Sequence, residues 1–139
     1  MHYPQTAYKT LLLTPSAGAT TVRTANLDCQ GANFATINVA IGVETNTNST
    51  NVAIQLSESD DTVVTNFATF DASFNRTVDN TAAVVAANHI DLRGRKRYIR
   101  LTVTPDTTTN GAVTVAAVAD LYKDVVSNDV SDQGDVVIG

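Results

Sequence analysis

The sequence predicts an all-β protein: an antiparallel β-sandwich, jelly-roll-like, of about seven to eight strands. Three observations predict it. Thr and Asn together supply roughly a quarter of the chain, and Thr favours strands while Asn favours turns. Apolar and polar residues alternate in short runs, the period of a half-buried sheet, most clearly at Ile37, Val39, Ile41 and Val43. Polar loops rich in Thr, Asn and Gly separate these runs, and no long helical pattern interrupts them. At 139 residues, 43 % of them hydrophobic, the chain is long enough for one domain with a single core.

Taken in order, residues 1–7 read as a flexible N-terminal arm, and Tyr8–Thr14 as the first strand, closed by Pro15–Gly18. Residues 20–29 hold a second strand with an irregular middle. Phe34–Val43 follows, with Gly42 marking a bulge or a close backbone approach. The polar loop 45–51 joins it to the alternating run Val52, Ile54, Leu56, a pattern that predicts an antiparallel hairpin with a long tip. Residues 63–70 read as extended, although Phe67 and Phe70 also fit one helical turn, and 71–80 as irregular with Phe74 as anchor. Ala82–Ala87 reads as extended because Val84 and Val85 are β-branched. Tyr98–Thr104 places Ile99, Leu101 and Val103 on one face. A second polar hairpin loop, 105–111, leads to the last strand, Ala112–Leu121. The β-sandwich domain thus spans 8–122, and residues 123–139 form an acidic tail, with Asp124, Asp129, Asp132 and Asp135 before the apolar Val136, Val137 and Ile138.

Charge narrows the function classes. A net charge of -5 argues against general nucleic-acid binding, which needs a broad basic surface. No apolar run approaches membrane-spanning length, and the first residues lack the basic and apolar regions of a secretory signal, so a cytosolic origin is expected. Cys29 is the single cysteine and reads as a small core residue. His2 and His89 lack partners at metal-ligand spacing, and no nucleophile or phosphate-loop motif is present. The expectation is therefore a protein without cofactor or metal that is not an enzyme. Glu58–Asp61 clusters carboxylates without the spaced ladder of a calcium loop and reads as a solvated turn. Asn48-Ser-Thr50 and Asn75-Arg-Thr77 match the glycosylation pattern by chance in so Asn- and Thr-rich a chain.

Five of the nine basic residues, Arg93, Arg95, Lys96, Arg97 and Arg100, fall within eight positions. Such a run either solvates a turn and protects a strand edge, or presents forked and point charges to an acidic surface on a partner. The clustering on an acidic chain favours an interface. Tyr3 and Tyr8 in or beside the N-terminal arm, and Val136, Val137 and Ile138 at the other end, are the further candidate contacts.

Two segments together carry a resemblance. One is Val52-Ala-Ile-Gln-Leu-Ser-Glu-Ser-Asp-Asp61; the other is Gly94-Arg-Lys-Arg-Tyr-Ile-Arg-Leu-Thr-Val-Thr104, followed by a polar loop and a small-residue strand. This pairing resembles the capsid decoration, or cement, proteins of tailed bacteriophages over roughly residues 34–121. The resemblance implies a β-sandwich on the outside of an icosahedral head, a homotrimer as the favoured oligomer, and the major capsid protein as partner, bridging capsomers. Nucleic acid and membrane are not expected as partners. The rival readings are a phage tail or neck component and a carbohydrate-binding β-sandwich module.

Overall fold

The computed structural model describes residues 6–19, 22–43, 49–106 and 112–123. These form nine strands: β1 (Thr6–Ala19), β2 (Arg23–Asp28), β3 (Phe34–Ile41), β4 (Thr50–Ser59), β5 (Ala68–Asp71), β6 (Arg76–Val78), β7 (Val84–Asp91), β8 (Tyr98–Pro105) and β9 (Val113–Lys123). One short 3-10 turn, Val64–Asn66, stands between β4 and β5.

Pairing is nested. β1 pairs with β9, β2 with β8, β3 with β7, and β4 with β5 and β6, all antiparallel. Two further ladders, β3 with β9 and β4 with β8, join these pairs into sheets. One sheet has the order β1-β9-β3-β7; the other has β2-β8-β4-β5, with β6 also on β4. Successive strands switch sheets except along β4-β5-β6, which is the connectivity of a jelly roll. The expected all-β sandwich is the observed fold.

Alternation explains the core. β9 turns Val113, Val115, Ala117, Ala119 and Leu121 inward against Ile37, Val39 and Ile41 of β3. Facing them are Val52, Ile54 and Leu56 of β4 and Ile99, Leu101 and Val103 of β8, each with no exposed surface. Phe74 and Val78 complete the buried cluster. Cys29 is buried, and desolvation, reinforced by the charge of Asp28, pushes its thiol up to about 12, so it stays protonated and unreactive.

Several local expectations are corrected. Residues 45–51 and 105–111 do not close hairpins, because β3 and β4, like β8 and β9, lie in different sheets. Alternation defines which face of a strand is buried and leaves its neighbour open. Loops this long exceed the usual hairpin and suffice to cross the roughly 10 Å between packed sheets. Pro15 does not close β1, which continues to Ala19 with three register shifts against β9. An edge strand tolerates this because its outer N–H groups have no ladder to join. Residues 76–78, expected to be irregular, pair with β4. The 3-10 turn interrupts the run expected to be extended from Val63. Ala82–Ala87 is extended from Val84, as its β-branched pair implies. Gly42 marks a close approach: its N–H donates to the Thr114 carbonyl at 2.7 Å, and a Cβ there would meet the Thr114 Cβ at 3.1 Å.

Candidate protein interface

Strand registers place three connections at one end of the sandwich. Asp28 and Ser59 both lie opposite Tyr98, while Phe34 lies opposite both Asp91 and Tyr122. The β2–β3, β4–β5 and β7–β8 connections therefore meet there. The outer ends of β1 and β9 meet at the same place, where Thr6 pairs with Lys123. Backbone bonds tie these segments together, from Cys29 N to Arg97 O (2.9 Å), Asn33 N to Tyr122 O (2.8 Å) and Leu92 N to Asn33 O (2.9 Å).

The basic run occupies this end, turned by Gly94 at φ +83°. Its cations face carboxylates of the same chain. Arg93 grips Asp91 through two bonds, 2.9 and 2.7 Å, and Arg97 grips Asp28 likewise at 3.0 and 2.7 Å. Arg95 lies 3.5 Å from Glu58, and Lys96 Nζ 3.4 Å from Asp60. The Lys96 backbone N–H also donates to Glu58 at 3.2 Å, and Arg100 donates to the Asn26 side chain at 2.8 Å. Four of these guanidinium groups lie over aromatic rings: Arg93 on Phe34, Arg95 on Phe70, Arg97 on Tyr98 and Arg100 on Phe67, at 3.9–5.1 Å from the centroids. Sequence reasoning found the cations and missed the rings and acids that hold them. Asp91, two residues from Arg93, and Tyr98, next to Arg97, were the local signals; the other partners come from residues 26–70.

These contacts lie at the surface, with Glu58, Phe67 and Phe70 partly covered, and each contributes little stability alone. Together they hold five long side chains in fixed directions, which removes much of the ordering cost of a later contact. The surface is a mosaic of both signs rather than a bare cationic patch, an arrangement that confers orientation and partner discrimination. Beside it, Val63 and Val64 stand 53 % and 70 % exposed. Asp61 fixes their turn by accepting from the Val63 N–H (2.9 Å) and Asn66 Nδ2 (2.8 Å).

Of the other candidates, Tyr8 lies in β1 opposite Leu121. Tyr3, Val136, Val137 and Ile138 lie outside the described residues. β1 begins at Thr6 and β9 ends at Lys123, and both of these positions lie at the charged end. Among the described residues, no group of three or more His, Cys, Asp or Glu side chains is placed to hold a metal ion, and no helix is long and apolar enough to cross a membrane.

The ion pairs set an acid response. Arg93 holds Asp91 down to about 2, and Arg97 lowers Asp28 by donating two bonds to its carboxylate. The Val63 N–H lowers Asp61, and Ser73 lowers Asp71. A carboxylate depressed in the folded state stabilises the fold above its unfolded value, and that contribution disappears as pH falls through the folded value. The urea midpoint is expected to fall as pH drops from 3.8 toward about 2, and Asp91→Asn is expected to flatten that part of the profile.

No family model matches this chain, and no curated protein sequence matches it. Solved structures share its fold. The CBM22-1 xylan-binding domain of Paenibacillus barcinonensis Xyn10C superposes with a TM-score of 0.56 and 11 % identity over 87 % of both chains. A structure of infectious bursal disease virus, Gx strain, gives 0.53 and 8 %, covering 86 % of this chain and 32 % of that one. The CBM22-1–GH10 modules of Clostridium thermocellum Xyn10B give 0.50 and 13 %, over 73 % of this chain and 19 % of that one. The shared property is the sandwich. This chain spans about a third and a fifth of the last two proteins' lengths.

Proposed function

We propose that this chain is a capsid decoration protein of a tailed bacteriophage. It is made in the host cytoplasm and assembles on the exterior of the head as a homo-oligomer. It acts by binding alone: the major capsid protein is its partner, and the charged end of the sandwich is the contact surface. The observation that carries this reading is the meeting of the basic turn with the outer ends of β1 and β9 at that end. The two sequence segments that carry the resemblance also support it. They are neighbours in space, paired from Val52 opposite Pro105 to Ser59 opposite Tyr98. A protein that binds the expanded shell better than its precursor stabilises the mature form by mass action.

Quantitative mass spectrometry of purified virions tests this. A copy number equal to the major capsid protein, or a simple fraction of it, is expected. A handful of copies would assign the chain to the tail or neck, and absence from virions would overturn the proposal.

One observation favours a second reading, a polysaccharide-binding module. A depression of about 380 Å³ on the β1-β9-β3-β7 sheet is lined by Phe34, Thr36, His89, Ile90, Asp91 and Tyr122. Aromatic surface beside a few polar groups suits a sugar ring. Saturable binding on a glycan array, with the chain absent from virions, would carry this reading instead.

A further inference from the structure

Sheet edges expose rows of unpaired N–H and C=O groups, and natural sheets blunt them with Pro, Lys, bulges or very short strands. The edges here are unequal. β1 carries Pro15 and three register shifts. β2 has six residues and carries a charged side chain at each end, Arg23 and Asp28. The opposite edge of that sheet is divided between β5, four residues, and β6, three. β7 has none of these devices. It runs eight residues in unbroken register along β3, from Val84 opposite Ile41 to Asp91 opposite Phe34, with no Pro, Lys or Arg. Among the described residues, no strand pairs with its outer side, and no backbone bond reaches it. Its outward face is Val85, 61 % exposed, with Ala87, His89 and, at its end, Asp91, which is held by Arg93.

We propose that β7 is a docking edge whose occupant is β7 of a second copy, paired antiparallel across a two-fold axis at Ala87. Identical antiparallel strands generate this symmetry, and one patch serves both partners. The side chains select the register. With Ala87 opposite itself, Val84 meets Ile90 on the inner face and Val85 meets His89 on the outer face. Asp91 meets no charge. Centring the axis on Asn88 instead sets Asp91 against Val85, and centring it on Ala86 moves Ile90 past the end of the partner strand. The favoured register completes the half-buried Val84 and joins two four-stranded sheets into one of eight. It substitutes a two-fold pair for the three-fold assembly implied by the sequence resemblance. It is independent of the shell-binding proposal, because it concerns the isolated chain.

Sedimentation velocity of the full chain tests it. A concentration-dependent species of twice 14.7 kDa is expected. Ala87→Lys and Ala87→Glu each place like charges opposite one another and are expected to raise the dissociation constant by about tenfold or more. An equimolar mixture of the two variants is expected to restore pairing. Ala87 is exposed, so unchanged thermal melting checks that both variants fold. A chain that stays at 14.7 kDa at every concentration, a three-fold species, self-association indifferent to Ala87→Lys, or no recovery in the mixture would each overturn the proposal.

Discussion

Leu101→Ala is expected to reduce the free energy of unfolding by about 2–5 kcal/mol. Leu101 lies near the middle of β8, between Ala25 of β2 and Leu56 of β4, with no exposed surface. Both flanking strands are ladder-bonded, so the backbone is restrained from collapsing into the space left by three missing carbons. The cost is then the lost transfer free energy plus a residual cavity. Urea unfolding measures it as a lower midpoint at unchanged slope. Val64→Ala, at a position 70 % exposed, is the comparison and is expected to change stability by less than about 0.5 kcal/mol. A loss below about 1 kcal/mol at Leu101 would contradict the close-packed core.

Replacing Arg95, Lys96 and Arg97 together with Ala is expected to weaken binding to phage heads by about tenfold or more and to flatten its salt dependence. The reason lies in their partners. Glu58, Asp60 and Asp28 keep their charge when the cations go, so a balanced mosaic becomes an acidic face that repels an acidic partner surface. Two ring contacts, on Phe70 and Tyr98, are lost as well. Co-sedimentation with heads stripped of this chain, across a salt series, is the measurement. The ion pairs lie at the surface, with only Glu58 largely covered, so the urea midpoint should move little, which separates lost binding from lost folding. Unchanged binding at every salt concentration would remove this end from the contact surface.

The particular residues show where sequence reasoning reached and where it stopped. Ile37, Val39 and Ile41, like Ile99, Leu101 and Val103, were legible as inward faces because a strand's side chains alternate with period two whatever lies beside it. The buried Cys29 and Phe74 followed from residue type. The loop at 45–51 misled because polar composition marks a connection without saying whether it turns back within a sheet or crosses to another. The basic run was visible as a cluster. Its ion pairs with Asp28 and Glu58 were not, because those acids lie 69 and 37 residues away and meet it only through the β2–β8 and β4–β8 ladders.

By itself, then, the sequence determined the β class, the inward faces and the concentration of positive charge before β8, since all three follow from local chemistry and short-range period. Tertiary structure alone decided the nested strand pairing, the conversion of a cationic run into a held mosaic of both signs, and the place of β7 at the end of its sheet. Each of these depends on which strand lies next to which. That choice is made by the packing of two whole sheets around one core, and no window of the chain contains it.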